Sequence, residues 1–353
     1  MIPKVVQKIL KKLEENGFEA YIVGGFVRDT LFYKKTNDID IATNALPKDL
    51  IAIFGNPLRK IEYGSYHIVV DSYTIDITTY RSEGKYENGK PLEISYSNNL
   101  LEDAKRRDFT MNAMYMNKNG NIIDPFQGKI DIDHKVLKMI GNPRVRLEED
   151  PLRILRAVRF ASIYHLKLDR TLKNAILKNK KQLSLIGEDK ISKELDRILL
   201  SNGFPMLKSL GLLQVLGIET QKIVYVEDIS GLWAQIQTSR PYVKEKELLR
   251  HQKNIAQMIK CGTISMLDLY HYGIYECRVA ASILHVPMKK LNHMVQRLPI
   301  TSRKDIALTT EEMQKLSGKE KEELGNLLKE IEEKIVLGTL QNTKEEITKY
   351  IRR

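Results

Sequence analysis

The chain has 353 residues, more than one ordinary domain holds, so length alone favours two or three modules with sizeable cores. Lys and Arg number 57 against 45 Asp and Glu, and the whole +12 excess falls between residues 101 and 300, because residues 1–100 carry 13 of each sign and residues 301–353 carry 11 of each. Such a basic middle suits a polyanionic partner; no run approaches the roughly 20 uncharged apolar residues of a membrane-spanning helix; and two cysteines, Cys261 and Cys277, are too few for a disulfide framework or a zinc site and fit a reducing cytoplasm.

The first predicted element is an amphipathic helix within residues 1–18, where Lys4, Lys8, Lys11 and Lys12 interrupt the apolar positions and argue against a signal peptide. Short β-rich runs follow at residues 20–23, 38–41, 67–71, 72–80 and 92–96, so residues 1–140 read as an α+β module. Residues 83–99, rich in Gly, Asn, Lys and Tyr, read as a hairpin or loop. Between 150 and 218 the strand signals vanish, and amphipathic helices alternate with breaks at Gly187, Gly203 and Gly211. The rest of the chain is helical by pattern, with a boundary expected near Thr301 where the charge balance shifts.

Within the α+β module, Gly24-Gly25-Phe26-Val27-Arg28-Asp29 follows an apolar strand and precedes Asp38-Ile39-Asp40-Ile41. Alternation along a strand puts Asp38 and Asp40 on one face and Ile39 and Ile41 on the other. An isolated Asp-x-Asp is most often a solvated strand face. Two carboxylates this close also suit Mg²⁺, which takes one or two carboxylates together with substrate phosphates. The Gly-Gly turn tips the balance, because glycines at 24 and 25 let backbone N–H groups approach a triphosphate and Arg28 can clamp its oxygens. Asp76, on the strand predicted over 72–80, is a candidate third carboxylate.

Residues 24–43 resemble the signature of class II tRNA nucleotidyltransferases and bacterial poly(A) polymerases. Further motifs of that family follow in order. Arg106-Arg107-Asp108-Phe109-Thr110 with Asn112 and Ala113 resembles the second, and Asp124-Pro125-Phe126 with Gly128 and Asp131 the third. Glu149-Asp150-Pro151-Leu152-Arg153 is similar to the nucleotide-selecting motif. Residues 298–305 resemble the tail of the Bacillus-type CCA-adding branch. Two departures are Thr310, where a glycine is usual, and Asp189-Lys190, where the family has Glu-Arg.

The resemblance implies a polymerase-β-like nucleotidyltransferase head with a mixed sheet over residues 1–140. It implies a helical neck for nucleotide selection over 141–218, a helical body over 219–300 and a helical tail over 301–353, with the body and tail binding tRNA. The implied reaction is in-line attack by an RNA 3′-hydroxyl on the α-phosphorus of CTP or ATP, with pyrophosphate leaving. Mg²⁺ ions held by Asp38 and Asp40 would activate the hydroxyl and neutralise the leaving group. Arg107 is then a triphosphate ligand and Asp108 an acceptor for a ribose 2′-hydroxyl; outside the family context Arg-Arg-Asp is a common surface triplet.

Asp150 and Arg153, three residues apart, can reach one side of a first helical turn. Taken alone, Asp150 reads as an N-cap and Pro151 as the first helical residue. As a pair they offer an acceptor beside a donor, matching the amino group and ring nitrogen shared by cytosine and adenine and mismatching guanine and uracil. Arg156 and Arg159 continue at intervals of three as a basic stripe for phosphate or base contacts, or as an ordinary charged face. An A-adding enzyme or poly(A) polymerase shares all four motifs, and a tRNA-binding protein without catalysis is a remote alternative. A near full-length loop over 83–99 argues against a CC-adding specialist.

Overall fold

The computed structural model describes residues 2–56, 64–84, 86, 87 and 90–352. Lys85, Asn88 and Gly89, inside the predicted hairpin, lie outside the described residues. The chain is α+β and divides into two compact units, residues 1–218 and 219–353.

In the first unit, α1 (Lys4–Glu15) buries Val6, Ile9, Leu10 and Leu13 while its lysines stay exposed, as the amphipathic spacing requires. Strand β1 (Ala20–Val23), helix α2 (Gly25–Leu31), strand β2 (Asp38–Thr43) and helix α3 (Pro47–Phe54) follow. Then come β3 (Ser65–Val70) and β4 (Tyr73–Thr79), joined by a turn in which Asp71 is left-handed, with φ 54°. Strand β5 (Arg81–Glu83) pairs antiparallel with β8 (Ile94–Tyr96), and β6 (Tyr86–Glu87) with β7 (Lys90–Pro91), the strand pairing of a hairpin.

Helix α4 (Leu100–Arg106) and a 3₁₀ turn (Thr110–Asn112) lead to two strands that the sequence pattern did not announce, β9 (Tyr115–Met116) and β10 (Ile122–Ile123). At two residues each they are too short to show a period. They complete a six-stranded mixed sheet of order β10-β9-β1-β2-β4-β3, in which β2 and β4 run parallel. Ile39 and Ile41 of β2 lie beside Ile75 and Ile77 of β4, all four fully buried. The same register places Asp40 beside Asp76 on the other face.

Helix α5 (Gly128–Asp133), strand β11 (Val136–Leu137), helices α6 (Pro143–Glu149) and α7 (Leu152–Ile163), strand β12 (Lys167–Leu168) and helices α8 (Arg170–Asn179), α9 (Glu188–Leu200) and α10 (Phe204–Ser209) complete this unit. Strand β12 corrects the expectation of a strand-free segment after residue 150, since it pairs parallel with β11. The segment around Asp150 also differs from the sequence expectation. Asp150 ends α6 in extended geometry and Pro151 occupies the cap position before α7, yet the Asp150 carboxylate still caps the helix by accepting the Leu152 N–H at 3.1 Å.

The second unit is helical: α11 (Ile229–Ala234), α12 (Lys246–Cys261), α13 (Met266–Tyr272), α14 (Ile274–Ile283), α15 (Met288–Gln296), α16 (Thr310–Ser317), α17 (Lys321–Val336) and α18 (Lys344–Ile351). One core cluster gathers α12 to α15, and another gathers α16 to α18 with Met266 and Tyr270 packed against it. No helix among the described residues is long and apolar enough to cross a membrane.

The third motif is a brace for the second. Asp124 accepts the N–H groups of Gly128 and Lys129 at 2.8 and 2.9 Å, and Asp131 accepts the Thr110 hydroxyl at 2.7 Å. Gly128 lies so close to the 3₁₀ turn that a Cβ there would sit 2.4 Å from the Thr110 carbonyl oxygen. Because that obstacle is backbone, Gly128→Ala is expected to destabilise the unit by about 1–3 kcal/mol. Urea unfolding checks this, and an unchanged midpoint would show that the brace yields freely.

Candidate active site

Every residue singled out on chemical grounds in the sequence, Asp76 apart, lines one cleft of about 550 Å³ in the first unit. Its floor is the β1–α2 turn and β2, and its walls come from the hairpin, α4 and the residues that follow it, α7 and α9.

Gly24, with φ 71°, turns the chain from β1 into α2, and a Cβ on it would lie 3.1 Å from Asp40 Oδ2. The residue is therefore glycine for two reasons, backbone hand and the closeness of the Asp40 carboxylate. Gly25 opens α2, which carries Arg28 into the cleft. Arg28 is 9% exposed. Its Nε donates to Tyr164 Oη at 2.8 Å and Asp29 Oδ1 at 3.0 Å, Nη1 donates to Asn112 Oδ1 at 2.7 Å, and its plane stacks on Phe160 and Tyr164.

Asp38 and Asp40 both reach the cleft from alternate positions of β2. Burial pushes the Asp40 carboxyl up to about 6, with Asp38 and Asp76 adding to the rise and Arg107 opposing it. Among the described residues no hydrogen bond is made to the carboxylate of either Asp38 or Asp40. Two hard oxygen donors without protein partners, one held at a pKa that a nearby cation would depress, fit a Mg²⁺ ion that draws its other ligands from water and substrate. Asp76 is not among the cleft residues; its carboxylate bonds His67 Nδ1, and no group of three Asp, Glu, His or Cys among the described residues is arranged to hold a metal.

Arg107 lies at the end of α4, where Asp103 Oδ2 accepts its Nε and Nη2 at 3.2 and 3.0 Å. Its Nη1 is 3.7 Å from the point a Gly24 Cβ would occupy, so one nitrogen faces the turn. The next residue, Asp108, is buried. Its Oδ1 accepts from Phe109 N and Asn112 Nδ2 at 2.8 and 2.9 Å, and its Oδ2 accepts from Nε of Arg156 at 2.9 Å and from the same guanidinium's Nη2. Burial raises its pKa, but Arg156 and these donors hold it well below the usual carboxylate range. The carboxylate expected to receive a ribose hydroxyl thus already has four donors, two of them from Arg156.

On α7, Arg153 donates through Nη1 to the Arg146 carbonyl at 2.7 Å and Glu149 Oε2 at 3.1 Å, and through Nη2 to Tyr86 Oη at 3.3 Å. Its Nε stands 3.9 Å from Asp150 Oδ2, so the acceptor and the donor sit side by side. Burial raises the Asp150 pKa against the pull of Arg153. Arg159 pairs with Glu194 at 2.8 Å and lies over the Phe160 ring at 4.2 Å; burial lowers its pKa to about 10, opposed by Glu194.

Sequence reasoning left Arg106, Arg197, Glu83 and Tyr86 out of the site. Arg106 was visible as the first residue of its motif. Glu83 and Tyr86 reach the cleft only because the hairpin folds over it, and Arg197 because α9 packs on α7, which no local spacing encodes.

A buried carboxyl with a raised pKa destabilises the fold in its ionised form. Protons bind the folded state more tightly between pH 4 and 6, so stability falls as pH rises through that window. In metal-free protein at pH 7, Asp40→Asn is expected to be more stable than the parent by on the order of 2 kcal/mol, with the gap closing near pH 4. Urea unfolding in chelator across pH checks it, and equal stabilities at pH 7 would refute the strained carboxylate.

Residues 20–138 match the poly A polymerase head domain family, and residues 243–351 match tRNA nucleotidyltransferase domain 2. The CCA-adding enzyme of Lactobacillus delbrueckii subsp. bulgaricus is 31% identical, covering 97% of this chain and 96% of its own. That of Streptococcus uberis is 32% identical over 99% of this chain and 97% of its own. The crystal structure of the Bacillus stearothermophilus CCA-adding enzyme in complex with CTP superposes with a TM-score of 0.87 at 27% identity, over 99% of this chain and 97% of that one.

Proposed function

The chain belongs to the CCA-adding enzyme family, and on that premise we propose that its cleft adds or repairs the 3′-terminal CCA of tRNA from CTP and ATP, releasing pyrophosphate and using no nucleic-acid template. The observation that carries this reading is the convergence of Asp38, Asp40, Arg28, Arg107, Asp150 and Arg153 on one cleft from four separate stretches of chain.

The triphosphate lies along Arg28 and Arg107, whose guanidinium groups are already held by protein partners and so lose little freedom on binding. Gly24 and Gly25 keep the floor low enough for phosphate oxygens to approach the backbone. The base meets Asp150 and Arg153, which accept from the amino group and donate to the ring nitrogen of cytosine or adenine; guanine or uracil leaves both protein groups unpaired. Arg156 and Arg159 add positive charge along the same helix, and Asp108 accepts from the ribose 2′-hydroxyl. Asp38 and Asp40 would hold Mg²⁺, which would lower the pKa of the attacking 3′-hydroxyl and neutralise charge on the phosphates. The RNA hydroxyl then attacks the α-phosphorus in line, with the pyrophosphate bridging oxygen leaving opposite.

Residues 1–140 act as the catalytic head and 141–218 as the nucleotide-selecting neck. Residues 219–300 and 301–353 serve as body and tail for the tRNA, whose backbone answers the excess of positive charge between 101 and 300. A cytoplasmic site of action goes with that substrate.

Asp38→Ala and Asp40→Ala are each expected to abolish nucleotide incorporation while leaving tRNA binding within about threefold of the parent, since phosphate contacts supply most of the affinity. The Asp150→Ala, Arg153→Ala double variant is expected to lose about 100-fold in discrimination between CTP and UTP. Turnover near the parent rate in either single variant, or unchanged discrimination in the double variant, would defeat these assignments.

A further inference from the structure

Asp103 is fully buried, and five donors converge on it. Arg106 meets Oδ1 through Nε at 2.9 Å and Nη2 at 2.7 Å. Arg107 meets Oδ2 through Nε at 3.2 Å and Nη2 at 3.0 Å, and the Tyr115 hydroxyl donates to the same oxygen at 2.7 Å. With both oxygens occupied and no exposure, Asp103 cannot touch a nucleotide.

Its effect on the cleft runs through Arg107. An arginine has three nitrogens in a rigid plane, so fixing two fixes the third. Nε and Nη2 are taken by Asp103, and Nη1 is left toward Gly24 and Asp40. Tyr115 supports this from below: its hydroxyl accepts from Arg107 Nε at 3.2 Å, and its ring lies 5.5 Å from the guanidinium carbon. A carboxylate so enclosed is a poor source of stability compared with an apolar residue of similar size, which makes orientation the better reason for its presence.

We infer that Asp103 is the positioning residue of the triphosphate subsite: it pins Arg107 by one edge so that Nη1 points at the phosphates carried over the Gly24 turn. This rests on the reading of Arg107 as a triphosphate ligand. Because the contact is blind to the base, its loss weakens CTP, ATP and inorganic tripolyphosphate by one common factor.

The experiment is a double-mutant cycle in the full chain, with Kd for CTP, ATP and inorganic tripolyphosphate measured by calorimetry in Mg²⁺ without RNA. Asp103→Asn keeps the shape and removes the charge. It is expected to weaken all three ligands by about tenfold, the usual scale for a charge-assisted contact set adrift. In an Arg107→Ala background the same substitution is expected to change Kd by no more than about twofold, since Arg106 is then the only cleft arginine that Asp103 still holds. A purely structural role predicts equal losses in both backgrounds, and that result, or a loss confined to one nucleotide, overturns the inference.

Tyr115→Phe covers the case of a poorly folded Asp103→Asn. It removes one donor from the same oxygen and is expected to give a smaller loss, about threefold, that again disappears with Arg107→Ala. Unchanged affinity in folded Asp103→Asn, or in folded Tyr115→Phe where the first variant does not fold, overturns the inference as well. If Arg107→Ala by itself leaves all three affinities unchanged, the reading of Arg107 as a triphosphate ligand is what fails.

Discussion

Positive charge has to be gathered in one cleft before any ligand arrives, and this requirement shapes most of what surrounds it. Arg28, Arg106, Arg107, Arg153, Arg156 and Arg159 all face the same space. Guanidinium groups brought together away from bulk water repel one another and cost desolvation besides. Each of the six is paired with an acid: Asp29 for Arg28, Asp103 for Arg106 and Arg107, Glu149 for Arg153, Asp108 for Arg156 and Glu194 for Arg159. The Phe160 ring supplies a further face for Arg28 and Arg159, and the Tyr164 ring another for Arg28. The cleft is thus preorganised for a polyphosphate, with the reorganisation done during folding rather than during binding.

The acids themselves divide by task. Two that hold arginines are driven down: burial alone would raise Asp103 and Asp108, but their arginine partners leave Asp103 at about 2 and Asp108 lower still. Two that line the cleft go up, Asp40 to about 6 by burial with Asp38 and Asp76 beside it, and Asp150 by burial against Arg153. The first environment keeps a carboxylate charged as a fixture, whereas the second leaves Asp40 with no hydrogen-bond donor among the described residues and Asp150 with one backbone N–H beside Arg153.

Much of this was legible in the sequence, for reasons that differ from part to part. Asp38 and Asp40 were readable because a two-residue strand period leaves no choice of face, and the burial of Ile39 and Ile41 follows from the same rule. Asp150 and Arg153 were readable from a three-residue spacing at a helix start, though the helix begins one residue later than Pro151 suggested. Asp76 shows where spacing stops: it does fall beside Asp40, but a neighbour on β3, His67, takes its carboxylate, and strand pairing partners cannot be read from one strand. Strands β9, β10 and β12 are held by their partners rather than by any local pattern. The Arg156 hold on Asp108 joins residues 48 apart, and only the packed structure reveals that a side chain expected to await a ribose is already engaged.

A single cleft that reads the donor and acceptor edge shared by cytosine and adenine should carry out every step of the addition in order. The direct measurement is incorporation of each labelled NTP, with Mg²⁺, into three transcripts of one tRNA, ending before CCA, after C and after CC. Addition of C, C and then A, with neither U nor G, is the predicted result. Addition of A alone to the transcript ending in CC, or long A tails on any RNA, would contradict it and make the chain an A-adding enzyme or a poly(A) polymerase.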